Sequence, residues 1–309
     1  MVRLCFFEIW KYNMYNLGID KIILGTAGLG GVWGNVKAEE SIATIEYAMS
    51  HGLAAIDTAP AYGDAEQFVG KALANWTGKL PKISTKVGRL KSYNADQATY
   101  DYTADGMKRS VENSLKTLGI STIDVLFLHD PAAIPTEEIE NVVSQMQYFK
   151  QHGFAKKIGI GGNLPVAFAP YLEDDAFDVI MEYNRLNACS IDALRTTIQS
   201  CELTNKEYYA ASPLNMGLLG CNFQEFLNFP PSWLDMQSIK QAQKIDAIAQ
   251  QYNIPLDVLA LRFICTIPAS FKMVLGAADH EQLMSSLHAI EAGILPVVIY
   301  NEILQTLKK

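Results

Sequence analysis

Eight short runs rich in apolar and β-branched residues recur along the chain, and most are followed by a stretch of helical periodicity. The runs are Ile22–Thr26, Ala54–Ala59, Ile83–Gly88, Asp124–Asp130, Lys157–Gly162, Asp178–Tyr183, Tyr208–Pro213 and Lys272–Ala277. Each is too short and too continuously apolar for an amphipathic helix, as strands covered on both faces should be. Between them, Glu137–His152 places Ile139, Val142, Val143, Met146 and Phe149 on one stripe. Ala104–Leu118 repeats the pattern with Val111, Leu115 and Leu118, and Gly119 stands where a C-terminal cap belongs. Ser41–Ser50, Ser190–Leu203, Ser238–Tyr252, Leu256–Cys265, Asp279–Ile290 and Pro296–Lys308 also read as helices.

Alternating strands and helices imply parallel strands joined by right-handed crossovers. Eight such units close into a (β/α)8 barrel of the TIM type, and 309 residues suffice for one barrel with insertions. An open doubly wound sheet is the rival. It would be supported by GxGxxG after the first strand, but Gly25–Gly31 reads GTAGLGG. No linker rich in Pro, Ser or Gly divides the chain, so we expect one α/β domain over residues 21–309 behind an N-terminal extension, residues 1–20. Met14 is an alternative start for the core protein. The segment from Pro213 to Ser238 reads as an active-site loop.

Composition narrows the function classes. With 25 basic and 33 acidic residues the net charge is −8. Wrapping nucleic acid or docking on anionic lipid needs basic surface, so neither partner is expected. The five cysteines (Cys5, Cys189, Cys201, Cys221, Cys265) show no CxxC spacing. They read as free thiols in a cytoplasmic protein, with no metal centre. No apolar run reaches the ~18 residues that a membrane span needs.

In a barrel, chemistry sits where the strands end. The second strand ends in Asp57, with Tyr62 in the loop behind it. The third ends with Lys86 and the fourth with His129. The N-terminal ends show nothing comparable. Each residue alone has an ordinary structural explanation, such as a turn cap, a surface aromatic, a solvated strand end or a satisfied core histidine. Together, on adjacent strands, they converge on one mouth. An ammonium beside a tyrosine favours phenolate and lowers a pKa that is normally about 10. A carboxylate keeps the lysine charged, and a neutral histidine orients a substrate oxygen. The tyrosine can then exchange a proton with an alcohol or carbonyl oxygen. Redox at carbon also needs a hydride carrier, which no side chain supplies.

These residues resemble the aldo-keto reductases over about Ile22 to Ile290. The stretch GLAAIDTAPAYGDAEQFVGKAL (Gly52–Leu73) is similar to the family's first signature, KISTKVG carries the lysine, and DVLFLHDP carries the histidine. The resemblance implies Asp57, Tyr62, Lys86 and His129 as the catalytic group. It also implies a nicotinamide cofactor held without a Rossmann fold. LFLHDP and ASPLNMGLLG resemble the branch that oxidises aldoses at C1, which includes L-galactose, L-fucose and D-threo-aldose 1-dehydrogenases. A pyridoxal 4-dehydrogenase is similar too.

By the same resemblance, cofactor contacts fall to Gly25, Thr26 and Asp57 on the early strands and to Asn163 after the fifth. Ser212, Leu214 and Gly217 belong to a loop over the pyrophosphate. Gly276, Gln282 and Ser286 lie towards the adenosine end. Asn163 is displaced by one position from the family's pattern. An apolar residue near Ile180 replaces a glutamine, and Ala211 replaces the tyrosine that stacks on nicotinamide. Tyr183 or Tyr209 could take that role. Where members that use NADP carry Lys-Ser and arginine, this chain has Gly276, Ala277 and Gln282, so NAD is expected over NADP. Trp33 is either a pocket wall or a packing residue. Asp130 either binds a substrate hydroxyl or caps the turn at Pro131.

The reading is therefore an NAD(P)-dependent oxidoreductase that oxidises an aldose at C1 to the lactone. Its substrate is a small sugar or aldehyde, and the chain is a monomer or weak homodimer. Alternatives are a pyridoxal or other aldehyde/alcohol oxidoreductase, a lyase using Lys86 as a Schiff base, and a catalytically silent barrel that binds cofactor.

Overall fold

The computed structural model describes residues 17–307. The alternative start at Met14, Cys5 and most of the expected extension lie outside the described residues. Eight parallel strands close into a barrel in chain order: β1 Ile22–Gly25, β2 Ala55–Asp57, β3 Lys82–Val87, β4 Ile123–His129, β5 Ala155–Gly161, β6 Val179–Tyr183, β7 Glu207–Ala211 and β8 Lys272–Gly276. The helices are α1 Ala38–Ser50, α2 Ala65–Asn75, α3 Ala104–Leu118, α4 Ile139–Gln151, α5 Pro170–Glu173, α6 Thr197–Leu203, α7 Phe223–Asn228, α8 Met236–Gln251, α9 Leu256–Thr266, α10 His280–Glu291 and α11 Val297–Thr306.

Local signals account for these elements. In α3 the Thr103 side chain accepts from Gly106 N, and Gly119 closes the helix in the left-handed conformation at φ 68°. The stripe of α4 is buried throughout, from Ile139 to Phe149. Helix α2 was not among the helices expected from the sequence, although Phe68, Val69, Ala72 and Leu73 form its buried stripe. The expected helix Ser190–Leu203 is broken. Asn187 Oδ1 accepts from Cys189 N and Ser190 N, and a 3-10 turn spans Asp192–Arg195 before α6 begins. Side-chain bonds of this kind compete with helical ones. The segment after β7 is not wholly irregular either, since it contains a 3-10 turn at Asn215–Gly217 and α7.

Side chains alternate across the strands. One set faces the helices; the other fills the barrel with Ile23, Val125, Phe127, Val179, Met181, Tyr209 and Val274. A Cβ on Gly159 would lie 2.6 Å from Phe127 Cε1. The Phe127 ring therefore occupies the room that a side chain on β5 would need. It packs edge-to-face on Tyr209, with ring centroids 5.7 Å apart.

The N-terminal end of the barrel is more charged than expected. Glu207 pairs with both Lys157 and Lys272, and Lys272 Nζ lies 3.3 Å from Tyr209 Oη. These ions close the floor, while the other end of the same inward-facing rows carries Asp57, Lys86 and His129. Phe127→Ala empties the layer between the two and should cost about 3–5 kcal/mol. Denaturant unfolding checks this, and a loss below about 1 kcal/mol would contradict that layer's role.

Candidate active site

Asp57, Lys86 and His129 lie on three adjacent strands, with 2 %, 3 % and 5 % of their surfaces exposed. Lys86 Nζ donates to Asp57 Oδ2 at 2.5 Å and to the Thr58 carbonyl at 3.0 Å. The second carboxylate oxygen of Asp57 accepts from Ser84 Oγ at 2.7 Å. Tyr62 reaches this cluster from the loop after β2. Its ring centroid is 4.7 Å from Lys86 Nζ, and it stands edge-to-face on His129 at 5.7 Å.

The loop that carries Tyr62 is clamped by the loop after β1. Asp64 N donates to the Gly30 carbonyl at 2.9 Å, and a Cβ on Gly30 would lie 1.8 Å from the Tyr62 carbonyl oxygen. Only glycine permits that approach. Gly63 follows at φ 56°. The structure thus brings all four expected catalytic residues together.

Electrostatics assigns their protonation states. Burial works to discharge Lys86, but Asp57 and Tyr62 outweigh it and hold the ammonium above its ordinary pKa. A lysine held charged is a poor Schiff-base nucleophile, which needs the free amine. Burial, aided by Lys86 and Arg89, pushes the His129 pKa far down, so the imidazole is neutral. For Tyr62 the expected lowering is reversed. Lys86 does favour the phenolate, but burial is the larger effect, Asp57 and Asp130 add to it, and the phenol ends above its ordinary value.

Burial and the register sort the expected cofactor and substrate residues. Thr26 is fully buried and donates its hydroxyl to the Asp57 carbonyl at 3.0 Å. Asn163 is exposed, and its Oδ1 accepts from Tyr183 N at 3.2 Å. Of the two candidate stacking aromatics, Tyr209 is buried in the barrel interior. Tyr183 is 43 % exposed at the end of β6, in register with Ala211. Asp279 caps α10, its Oδ1 accepting from Gln282 N, and Gln282 Oε1 reaches back to accept from Ala278 N, the residue before the cap. Ser286 is buried within α10, and Trp33 is 58 % exposed.

The other half of the mouth fits a bulky planar cofactor. Small residues, Gly25, Gly161, Ala211 and Gly276, end β1, β5, β7 and β8, and a Cβ on Gly276 would meet nothing within 4 Å. In the loop after β7, Ser212, Asn215 and Met216 all hold positive φ (59°, 50° and 53°). Asn215 is buried with Oδ1 unpartnered. Strain and an orphaned acceptor of this kind collect where a ligand is clamped.

Several contributors were not read from the sequence, namely Ser84, Arg89, Tyr100 and Tyr102. Arg89 Nη1 donates to Asp130 Oδ2 at 3.1 Å, and Tyr102 Oη donates to the carbonyls of His129 and Asp130. A signal was available for Arg89, because an arginine just beyond the third strand and an aspartate just beyond the fourth meet at neighbouring strand ends.

The family model described as the aldo/keto reductase family matches residues 21–302. The chain is similar to the D-arabinose 1-dehydrogenase of Saccharomyces cerevisiae, 30 % identical over 302 residues, covering 91 % of this chain and 86 % of that protein. It is also similar to the L-galactose dehydrogenase of Arabidopsis thaliana, at 28 % identity and 80 % coverage of each chain. The solved glycerol dehydrogenase of Gluconobacter oxydans has the same fold, with a TM-score of 0.73 at 21 % identity over 93 % of this chain and 91 % of that one. With the barrel, the buried Asp57–Lys86 pair and Tyr62 against His129 in place, the chain belongs to the aldo/keto reductase family of NAD(P)-dependent oxidoreductases.

Proposed function

We propose that the protein oxidises an aldose at C1 to the corresponding lactone, with NAD as the preferred hydride acceptor. The observation that carries this reading is Tyr62 held between a charged Lys86 and a neutral His129 at a mouth rimmed by Asp130. The similarity to aldose dehydrogenases supports the choice of a sugar. Gly276, Ser212, Leu214, Gly217 and Asn163 would hold the cofactor, and Tyr183 would offer the ring face that Ala211 lacks. When bound, nicotinamide supplies the hydride acceptor.

Within this reading His129 orients the anomeric hydroxyl, and Tyr62 as phenolate takes its proton. Lys86 stabilises the phenolate, and Asp57 holds Lys86 charged and in place. In the reducing direction the same phenol donates. The lactone then hydrolyses, which draws oxidation forward.

The preference for NAD rests on the loop after β8. No lysine or arginine stands at Gly276, Ala277 or Gln282, and the N-cap of α10 is the carboxylate of Asp279. A ribose phosphate there would meet a negative charge, whereas a ribose hydroxyl would meet an acceptor.

A panel of aldoses, with pyridoxal included, tests the reading through reduction of NAD and of NADP. Aldose oxidation with NAD should prevail, and a kcat/KM for NADP tenfold above that for NAD would reverse the cofactor assignment. Gln282→Arg should shift preference towards NADP by tenfold or more, since one charge-assisted contact is worth roughly 1.5–3 kcal/mol.

Tyr62→Phe should lower kcat by ~10²–10⁴-fold while cofactor affinity measured by titration is retained. Wild-type kcat in that variant would remove Tyr62 from the proton path.

Because the Tyr62 pKa is raised, the phenol stays protonated at neutral pH. Oxidation should accelerate with pH until the phenol ionises, above its ordinary range, while reduction should be fastest below that point. Lys86→Met removes the charge that favours phenolate, so the inflection should move to still higher pH. An unchanged profile in an active variant would rule out that tuning.

A further inference from the structure

The rim beside His129 holds a guanidinium and a carboxylate that proton transfer does not use. β3 and β4 pair Lys86 with Phe127 and Val87 with Leu128. Two residues further along the same register, Arg89 stands beside Asp130. Arg89 Nη1 donates to Asp130 Oδ2 at 3.1 Å and Nη2 to the Ala95 carbonyl at 2.6 Å, while Nε is buried without a partner. Tyr100 Oη approaches the same Oδ2 at 3.3 Å.

Asp130 is held in an unusual backbone conformation at φ 51°, pinned by the Tyr102 hydroxyl on the carbonyls of His129 and Asp130 at 2.7 and 3.0 Å. A non-glycine residue there is strained unless its surroundings fix it, and such residues cluster at ligand sites.

This arrangement commits Oδ2 to Arg89 and turns Oδ1 towards His129 Nε2, 4.0 Å away. That gap is too long for a hydrogen bond, so Oδ1 is left free to accept from a ligand. A carboxylate only accepts, and a neutral imidazole has one N–H to donate. A substrate hydroxyl other than the one whose proton Tyr62 takes can therefore donate to Oδ1, which an anionic group cannot do.

We infer that the Arg89–Asp130 pair selects substrate by charge: it reads a neutral sugar hydroxyl through Asp130 Oδ1 and turns away carboxylated or phosphorylated sugars. The inference rests on the aldose reading for the identity of the hydroxyl. Arg89 would attract an anion if it stood alone, but Asp130 already neutralises it. An anionic substrate reaching this rim meets the free oxygen of a carboxylate and loses its own hydration without compensation.

The test is calorimetric titration of D-galacturonate into the protein loaded with the 1,4,5,6-tetrahydro analogue of NADH, which neither accepts nor donates hydride, so that no turnover can proceed. Three proteins are compared: wild type, Asp130→Asn, and Asp130→Asn combined with Arg89→Met. Asparagine tolerates the left-handed backbone, so the loop is retained. Asp130→Asn frees the guanidinium and should bind galacturonate at least tenfold more tightly than wild type. The double variant should lose that gain. No gain in the single variant, or a gain that survives loss of Arg89, would overturn the inference. A protein that shows the switch but oxidises no aldose loses the proposed function and keeps the charge filter.

Discussion

The site depends on a buried ion pair. Asp57 and Lys86, from β2 and β3, are nearly inaccessible to water and 2.5 Å apart. Neither charge is tolerable alone in that position, because removing one partner of a buried pair typically costs about 3–5 kcal/mol. Ser84 and the Thr58 carbonyl complete the pair's hydrogen bonding, so its place is fixed on all sides. Everything else at the mouth is then set relative to a stationary positive charge. The Tyr62 phenol is drawn towards ionisation by it, and His129 is kept neutral partly by it.

That fixed charge does not win outright. Tyr62 ends with a raised pKa because burial and two carboxylates outweigh the ammonium. The phenol is thus prepared to donate at neutral pH and becomes a base only as protons grow scarce. The geometry divides the mouth in two. Large polar side chains crowd the ends of β2 to β4, whereas glycine or alanine ends β1, β5, β7 and β8, with open space over Gly276. Polar and small residues are thus separated by choice of residue at equivalent heights of one barrel, which is what the proposed division into proton chemistry and cofactor space requires.

Strand periods and strand-end polarity made the barrel and the four converging residues legible in the sequence, since both follow from alternation along a strand and the adjacency of neighbours. What escaped depended on angles or on net balances. Helix α2 was hidden inside the stretch that carries Tyr62. The break before α6 turns on a single asparagine side chain, Asn187, that bonds backward-running loop amides. The Glu207 pairing with Lys157 and Lys272 was missed because those residues look solvated in sequence, and only the barrel's closure draws them onto one floor. The sign of the Tyr62 shift could not be read, because spacing names the neighbours but not how much water is excluded. Arg89 was overlooked although register alone would have set it opposite Asp130.

The floor has a kinetic meaning. Below the polar cluster, Phe127, Val125, Val179 and Met181 fill the barrel, and ions seal the far end. The hydrogen-bonded chain from Lys86 through Asp57 stops at Ser84, two residues short of exposed Lys82. Among the described residues no relay of side chains leads downwards from Tyr62, so a proton exchanged there would leave by the mouth. With the mouth filled by a substrate, such a proton would be cut off from the solvent pool. On the proposed role of Tyr62, the transferred hydrogen would be shared only with the Lys86 ammonium, and isotopic exchange with bulk water would wait for the product to depart.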